Sequence, residues 1–369
     1  MLLLIPGPVT TQPAVRAALA RDFAPWDHDF RAILASVRAR VLPIAGATAA
    51  THAALPLQGC GHFAVEASVR SFVPPGGRIL IPATGAYADR MVRLAREAGR
   101  EVVSIPVGFA DRVDPDALTA ALEADPAVRH VGLVYSETGS GVIHDVPSLA
   151  RTAGRLGRRV IVDAVSAFGA LPLDLSAHPE IDAVVFTANK CIEAVAGLAF
   201  VIVRPDRLVP GRAGSWSFDL ADIHEHGLRN GEGSSRFTPS AQAIAAFAAA
   251  LDLYAAEGGQ PARLARYQAN RDALYDGIAA IGCTPWLPRA TQGPVVMNTR
   301  APLDPRWDLQ AFVDALKRRG IVISNFYNTP EPSFRVGCIG AVTPDDMRRA
   351  VAAMDEALAE TGVEHRAGA

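Results

Sequence analysis

The sequence predicts an α/β protein, with a large domain built on a mainly parallel seven-stranded sheet and a smaller C-terminal α+β domain. Three observations point there. Between residues 53 and 203, short β-rich runs alternate with helical patterns, as in chains that build a parallel sheet. Several of those runs are apolar on consecutive residues, as expected of strands covered on both faces. After about residue 240 the alternation gives way to long helical stretches and a few short strands. A length of 369 residues suits two such units.

The strands are predicted at Ala53–Leu57, Arg78–Pro82, Glu101–Val107, His130–Ser136, Arg159–Asp163, Ala183–Thr187 and Leu198–Val203. Helical spacing between them covers His62–Val73, Tyr87–Ala98, Pro115–Ala124 and Pro147–Leu156. Ala241–Ala256 reads as an Ala-rich helix stopped by Gly258-Gly259, and a second helix covers Pro261–Ile281. The rest is a strand near Val295–Asn298, a helix at Leu309–Arg319, short strands at Ile321–Ser324 and Phe334–Cys338, and a last helix from Pro344 to about Glu360.

Composition excludes several function classes. The formal net charge is −2 with no basic block, so a nucleic-acid partner is not expected. No apolar run reaches the roughly 18 residues that span a bilayer. The apolar Met1–Ile5 has no basic residue before it and is stopped by Pro6-Gly7-Pro8, so it reads as mature chain rather than a signal peptide. The four cysteines, Cys60, Cys191, Cys283 and Cys338, are far apart and make no CxxC pair. Neither a disulfide framework nor a zinc site is expected, and a reducing cytoplasm fits. His224 and His226 stand two apart, on different faces of a helix, so no metal is expected there.

One compositional fact is sharper. Lys and Arg total 36, yet only Lys190 and Lys317 are lysine. A position that keeps lysine in so Arg-rich a chain needs an amine, because a guanidinium cannot form an imine. Lys317 sits in a basic helix end, whereas Lys190 comes just after the apolar run Ala183–Phe186. Ligands in open α/β sheets lie beyond the carboxyl ends of the strands, and the other notable residues are there too. Gln58–Ala64 comes after the first strand and opens a helix, with two glycines that let the backbone approach an anion. It loosely fits a dinucleotide fingerprint, but the acidic residue expected about 20 positions later is missing, so a single phosphate suits it better. Asp163 ends a buried strand, where a carboxylate needs either a local cap or a cationic partner such as a protonated pyridine nitrogen. Lys190 lies 27 residues further on, across one strand-containing unit. Tyr87 opens the helix after the second strand, placed to stack on a flat ring.

At these positions the chain resembles class V aminotransferases, enzymes of pyridoxal-phosphate (PLP) fold type I. The likeness runs through Leu4–Thr11 (LIPGPVTT), Leu57–Ala67 (LQGCGHFAVEA), Val162–Gly169 (VDAVSAFG) and Ala188–Ile192 (ANKCI). Phe23–Asp27 (FAPWD), Arg236–Thr238 and Phe334–Gly340 (FRVGCIG) direct it to the branch that moves an amino group from 2-aminoethylphosphonate to pyruvate.

The resemblance implies pyridoxal 5′-phosphate as cofactor and a set of roles. Lys190 would form the Schiff base and later move the proton, and Asp163 would pair with the ring nitrogen. Tyr87 would stack on the ring, while Cys60, Gly61 and His62 would hold the phosphate or flank the ring. Thr138 would lie near the phenolic oxygen. Thr238 would reach the phosphate of a neighbouring subunit, which implies a homodimer with shared sites. Arg335 would bind the acidic group of the donor, with Thr10 and Trp26 also on the substrate side. The small-molecule partners would be an amino donor and a 2-oxo acid. The implied division is an N-terminal arm over residues 1–14, a large domain over 15–245 and a small domain over 246–369. Cys60 and His62 stand where Ser or Thr is usual and look more like the alanine–glyoxylate branch, and Gly139-Ser140-Gly141 replaces a Thr-rich stretch. The rival readings are therefore an alanine-, serine- or glyoxylate-type transaminase and a PLP lyase. A desulfurase would need a mobile loop cysteine, whereas Cys338 sits in a β-like segment and Cys191 is beside the Schiff-base lysine.

Overall fold

The computed structural model describes residues 1–368. Seven strands form the central sheet: β1 (Ala53–Gln58), β2 (Arg78–Leu80), β3 (Glu101–Val103), β4 (Val128–Val134), β5 (Arg159–Asp163), β6 (Ile181–Thr187) and β7 (Leu198–Val203). Their spatial order is β1-β7-β6-β5-β4-β2-β3. The strands from β6 to β3 pair in parallel, and β7 runs antiparallel to both of its neighbours.

Burial on both faces explains the unbroken apolar runs. In β5, Val160 and Val162 enter one core while Ile161 enters the other, and in β6 the pairs Val184/Phe186 and Ala183/Val185 divide in the same way. The first core is closed by the helices His28–Val41, Pro115–Ala124, Val146–Arg155 and Ala241–Glu257. The second is closed mainly by Gly61–Phe72 and Ala86–Glu97.

Strands β5 and β7 and the helix Pro115–Ala124 have the bounds read from sequence. Strand β3 ends at Val103, short of the expected Val107, and beyond it pairing resumes only as an isolated bridge between Ala83 and Pro106. The helix His28–Val41 was not read from sequence, although Phe30, Leu34, Val37 and Val41 mark its buried stripe.

The C-terminal part has its own core, formed by the helices Gly259–Ala280, Leu309–Arg318 and Pro344–Glu360 against the antiparallel pair β8 (Val296–Arg300) and β9 (Ser333–Gly337). The N-terminus belongs to it: Leu2–Leu3 pairs in parallel with Ile321–Val322, and Leu4 is buried in the same core. A boundary at residue 245 falls inside the helix Ala241–Glu257, whose buried face packs on the large-domain sheet as far as Tyr254. We propose Gly258 as the dividing point, where a left-handed φ of 110° ends that helix. Among the described residues, no helix is long and apolar enough to cross a membrane.

Candidate active site

The carboxyl ends of β5 and β6 and the start of the helix Gly61–Phe72 open into one cavity of about 310 Å³. It is lined by Cys60, Gly61, His62, Tyr87, Asp163 and Lys190, together with Gly7, Arg90, Thr187 and Asn189.

Lys190 sits in the tight turn that leaves β6. The Glu193 N–H donates to its carbonyl at 2.9 Å, and the Ala194 N–H closes the turn on the Ala188 carbonyl at 2.9 Å. The lysine is only 9 % exposed, and no carboxylate among the described residues lies within ion-pairing distance of it. Burial pushes its ammonium pKa down; Tyr87 and Asp163 oppose that shift, and Arg335 adds to it. Gly7, in the N-terminal arm, lies on the alkyl chain of Lys190. A Cβ there would stand 2.7 Å from Lys190 Cδ, and its φ of +141° is itself a glycine conformation.

The far side of that turn is pinned by a buried ionic cluster. Glu193, at φ 63°, accepts from Arg266 Nη2 at 2.7 Å and from the Tyr267 hydroxyl at 2.6 Å. Arg263 donates to the Cys191 carbonyl and pairs with Glu257 at 2.7 Å. Arg266 also donates to the carbonyls of Gly340 and Val342, so the small domain is tied to the lysine turn.

Asp163 ends β5 with its carboxylate in the cavity wall. The Val165 N–H donates to Oδ1 at 2.9 Å, and no donor among the described residues reaches the other oxygen. Burial lifts its pKa to about 6 against that hydrogen bond and against Lys190. The carboxylate thus caps the Ala164–Val165 turn and still has one oxygen for a cation.

At the other end, no side chain caps the helix Gly61–Phe72, which leaves its N–H groups facing the cavity mouth. A Cβ on Gly61 would stand 2.6 Å from Val165, so glycine keeps this floor open. His62 is half-buried, and burial, helped by Arg90, pushes its imidazole pKa down. Tyr87 presents its ring beneath the Arg90 guanidinium, 4.8 Å from the ring centroid.

Arg335, on β9, is buried. It donates from Nη1 to the Thr138 carbonyl at 2.8 Å, lies 5.1 Å from the centroid of Phe326, and has no partner for Nε. The hydroxyls of Thr138 and Thr187 are likewise buried without partners.

Arg335 and Thr138 are not among the residues that line the cavity, and the remaining sequence-derived residues lie outside it too. The Thr10 hydroxyl accepts from the Leu3 N–H at 2.8 Å and closes the arm on itself. Trp26 is 76 % exposed. Thr238 is exposed, and its carbonyl accepts from Gln58. Arg90, Thr187 and Asn189 were not singled out from sequence, although Arg90 is one helical turn from Tyr87 and the other two flank Lys190.

A family model described as aminotransferase class V matches residues 16–335. The chain belongs to the class V aminotransferases. This aminotransferase is 42 % identical to the 2-aminoethylphosphonate–pyruvate transaminase of Burkholderia ambifaria, over 98 % of this chain and 96 % of the relative. It is 39 % identical to the enzyme of the same name from Cupriavidus taiwanensis, over 98 % and 96 %. Among solved structures, pyridoxamine-pyruvate aminotransferase from Mesorhizobium loti superposes with a TM-score of 0.88 at 25 % identity, covering 99 % of this chain and 93 % of that one.

The cofactor of the class V aminotransferases is pyridoxal 5′-phosphate, and the cavity fits it. Asp163 has a free carboxylate oxygen for the ring nitrogen, the Cys60–His62 helix start has unpaired N–H groups for the phosphate, and the orphan hydroxyl of Thr187 faces the same space. Among the described residues, Lys190 is the one lysine that lines the cavity.

Proposed function

We propose that this aminotransferase moves the amino group of 2-aminoethylphosphonate to pyruvate, giving phosphonoacetaldehyde and L-alanine. The observation that carries the reading is Arg335: a buried guanidinium with one backbone partner and a free Nε, on the small domain and close enough to Lys190 to depress its pKa. A fork of donors beside a buried amine suits a substrate with an acidic group at one end and an amine at the other. The two relatives named above support the phosphonate.

Bound pyridoxal phosphate supplies an aldehyde that condenses with amines and a ring that takes up electron density as a C–H bond breaks. The protein's residues do the rest. Arg335 orients the donor by its acidic end. Lys190, whose charged form burial disfavours, is placed to take the proton from the donor's amine-bearing carbon at Nζ and would deliver it to the cofactor rather than to the carbon it came from. Asp163 holds its charge against the ring nitrogen, Tyr87 fixes the ring plane, and the helix start at Gly61 holds the phosphate.

Cys60 and His62 favour a second reading, an alanine–glyoxylate type of donor and acceptor. We further propose a homodimer. The exposed Trp216 and Phe237, with ring centroids 5.1 Å apart beside Thr238, offer an apolar face for a second copy, across which Thr238 would reach the partner's phosphate. The four free cysteines support a cytoplasmic location.

The test is a panel of 2-aminoethylphosphonate, alanine and serine, each assayed with pyruvate and with glyoxylate. The phosphonate with pyruvate is expected to give the highest kcat/KM. A preference of tenfold or more for a carboxylate donor would overturn the reading.

A further inference from the structure

We infer that Glu137 is a positioning residue that sets the ring-stacking Tyr87 and the substrate anchor Arg335 in register with each other. The inference deepens the functional reading above and rests on the roles given there to those two residues.

Glu137 lies in the short strand Ser136–Glu137, beyond the end of β4, and is 0 % exposed. Among the described residues no cation pairs with it. A buried carboxylate without a counter-ion is costly unless hydrogen bonds hold it, and burial here lifts its pKa to about 7. Its two oxygens are occupied in different directions. Oε2 accepts from the Tyr87 N–H at 3.3 Å, at the start of the helix Ala86–Glu97. Oε1 accepts from the Gly139 N–H at 2.9 Å.

Each oxygen therefore fixes one functional element. The first fixes the helix end from which the Tyr87 ring projects, where a negative charge also suits the helix dipole. The second fixes the Thr138–Gly139 turn, whose Thr138 carbonyl is the one hydrogen-bond partner of Arg335. Asn298, on β8, fastens the same turn from the small-domain side by donating to the carbonyls of Gly139 and Ser140, both at 2.9 Å. Two glycines make room for the carboxylate. A Cβ on Gly85 would stand 2.9 Å from its Cδ, and one on Gly139 would stand 2.9 Å from Oε1. One rigid side chain thus spans from the plane that stacks on the ring to the cation that holds the donor. A change in its length or charge moves both together.

The experiment compares wild type with Glu137→Gln. It measures the dissociation constant for pyridoxal phosphate by titrating apoprotein, and KM and kcat for the acidic donor. Gln keeps one acceptor but turns an NH₂ toward a backbone N–H. Both the cofactor constant and the donor KM should therefore rise about tenfold or more, while kcat falls less. Glu137→Asp, which can reach only one of the two turns, should recover one constant and not the other. A merely space-filling role would lower the amount of folded protein and leave both constants of the folded fraction unchanged. If both stay within twofold of wild type in Glu137→Gln, the inference is wrong. Should that variant fail to fold, Gly139→Ala decides, since its Cβ displaces Oε1 without removing it: both constants must rise, and unchanged values overturn the inference. If the wild type does not turn over 2-aminoethylphosphonate, the proposed donor fails rather than Glu137, and the same constants are read with the acidic donor it does accept.

Discussion

The ionic cluster behind Lys190 makes a demanding prediction for Glu193→Gln. The substitution keeps the shape of the side chain and removes one of the two carboxylates that face Arg263 and Arg266. Breaking a buried ion pair by removing one partner costs about 3–5 kcal/mol, because the other charge stays buried. Glu257 still pairs with both arginines at 2.7 and 2.8 Å, and the Gln oxygen still accepts from Tyr267, so the lower end, about 3 kcal/mol, applies. At roughly 2 °C per kcal/mol for a chain of this size, the apoprotein midpoint should fall by about 6 °C. Thermal unfolding monitored by circular dichroism, at fixed protein concentration, measures it. Glu193→Gly removes the same carboxylate but relaxes the φ of 63°, which returns roughly 1 kcal/mol, so it should melt above Glu193→Ala. A Glu193→Gln protein that melts within 1 °C of wild type would show that the cluster adds nothing that neutral contacts cannot supply.

Three further outcomes are expected. Lys190→Ala should lose the covalent cofactor absorbance near roughly 410–430 nm and at least about 10³-fold in turnover; a retained band would place the linkage on another amine. Arg335→Lys should raise KM for the acidic donor about tenfold with little change in kcat, because a fork of donors becomes a single point charge; unchanged KM would misplace the anchor. The third concerns pH. Burial holds Asp163 at about 6 in the apoprotein, and its charged form is the one that pairs with a protonated ring nitrogen. Cofactor affinity should therefore be full above pH 6 and fall by up to roughly tenfold per pH unit below it, as protons compete for the carboxylate. Asp163→Asn should bind weakly with no such slope, and a flat profile for wild type between pH 5 and 7.5 would contradict the pairing.

Much of the site was legible because its chemistry leaves local marks. Lys190 stood out as one of two lysines among 36 basic residues, and Asp163 ends a strand whose bounds were read correctly from five consecutive residues. The Gly59–Gly61 turn comes directly after a strand and Tyr87 opens the helix that follows the next one, where such residues belong. The features that stayed hidden depend on neighbours distant in sequence. Apolar periodicity says that β7 is covered on both faces but not that it runs antiparallel to its neighbours. Glu137 sits in a stretch that looks polar and ordinary and Glu193 is a lone charge among apolar residues, and their partners come from the helix start at 85–87 and from the helix Gly259–Ala280. Thr10 was named on the substrate side, yet its hydroxyl is bonded to Leu3, a pairing that appears only when the arm folds back.

The course of synthesis is constrained by that arm. Leu2 and Leu3 are made more than 300 residues before the strand they join, Ile321–Val322. Until then Leu2, Leu3 and Leu4 have no shelter, and Gly7 has no settled position over the reactive amine. A nascent chain shorter than about 335 residues also lacks the guanidinium on β9. Cofactor capture in its final geometry is therefore a late event, and a bulky extension fused ahead of Met1 burdens the catalytic pocket rather than a remote surface.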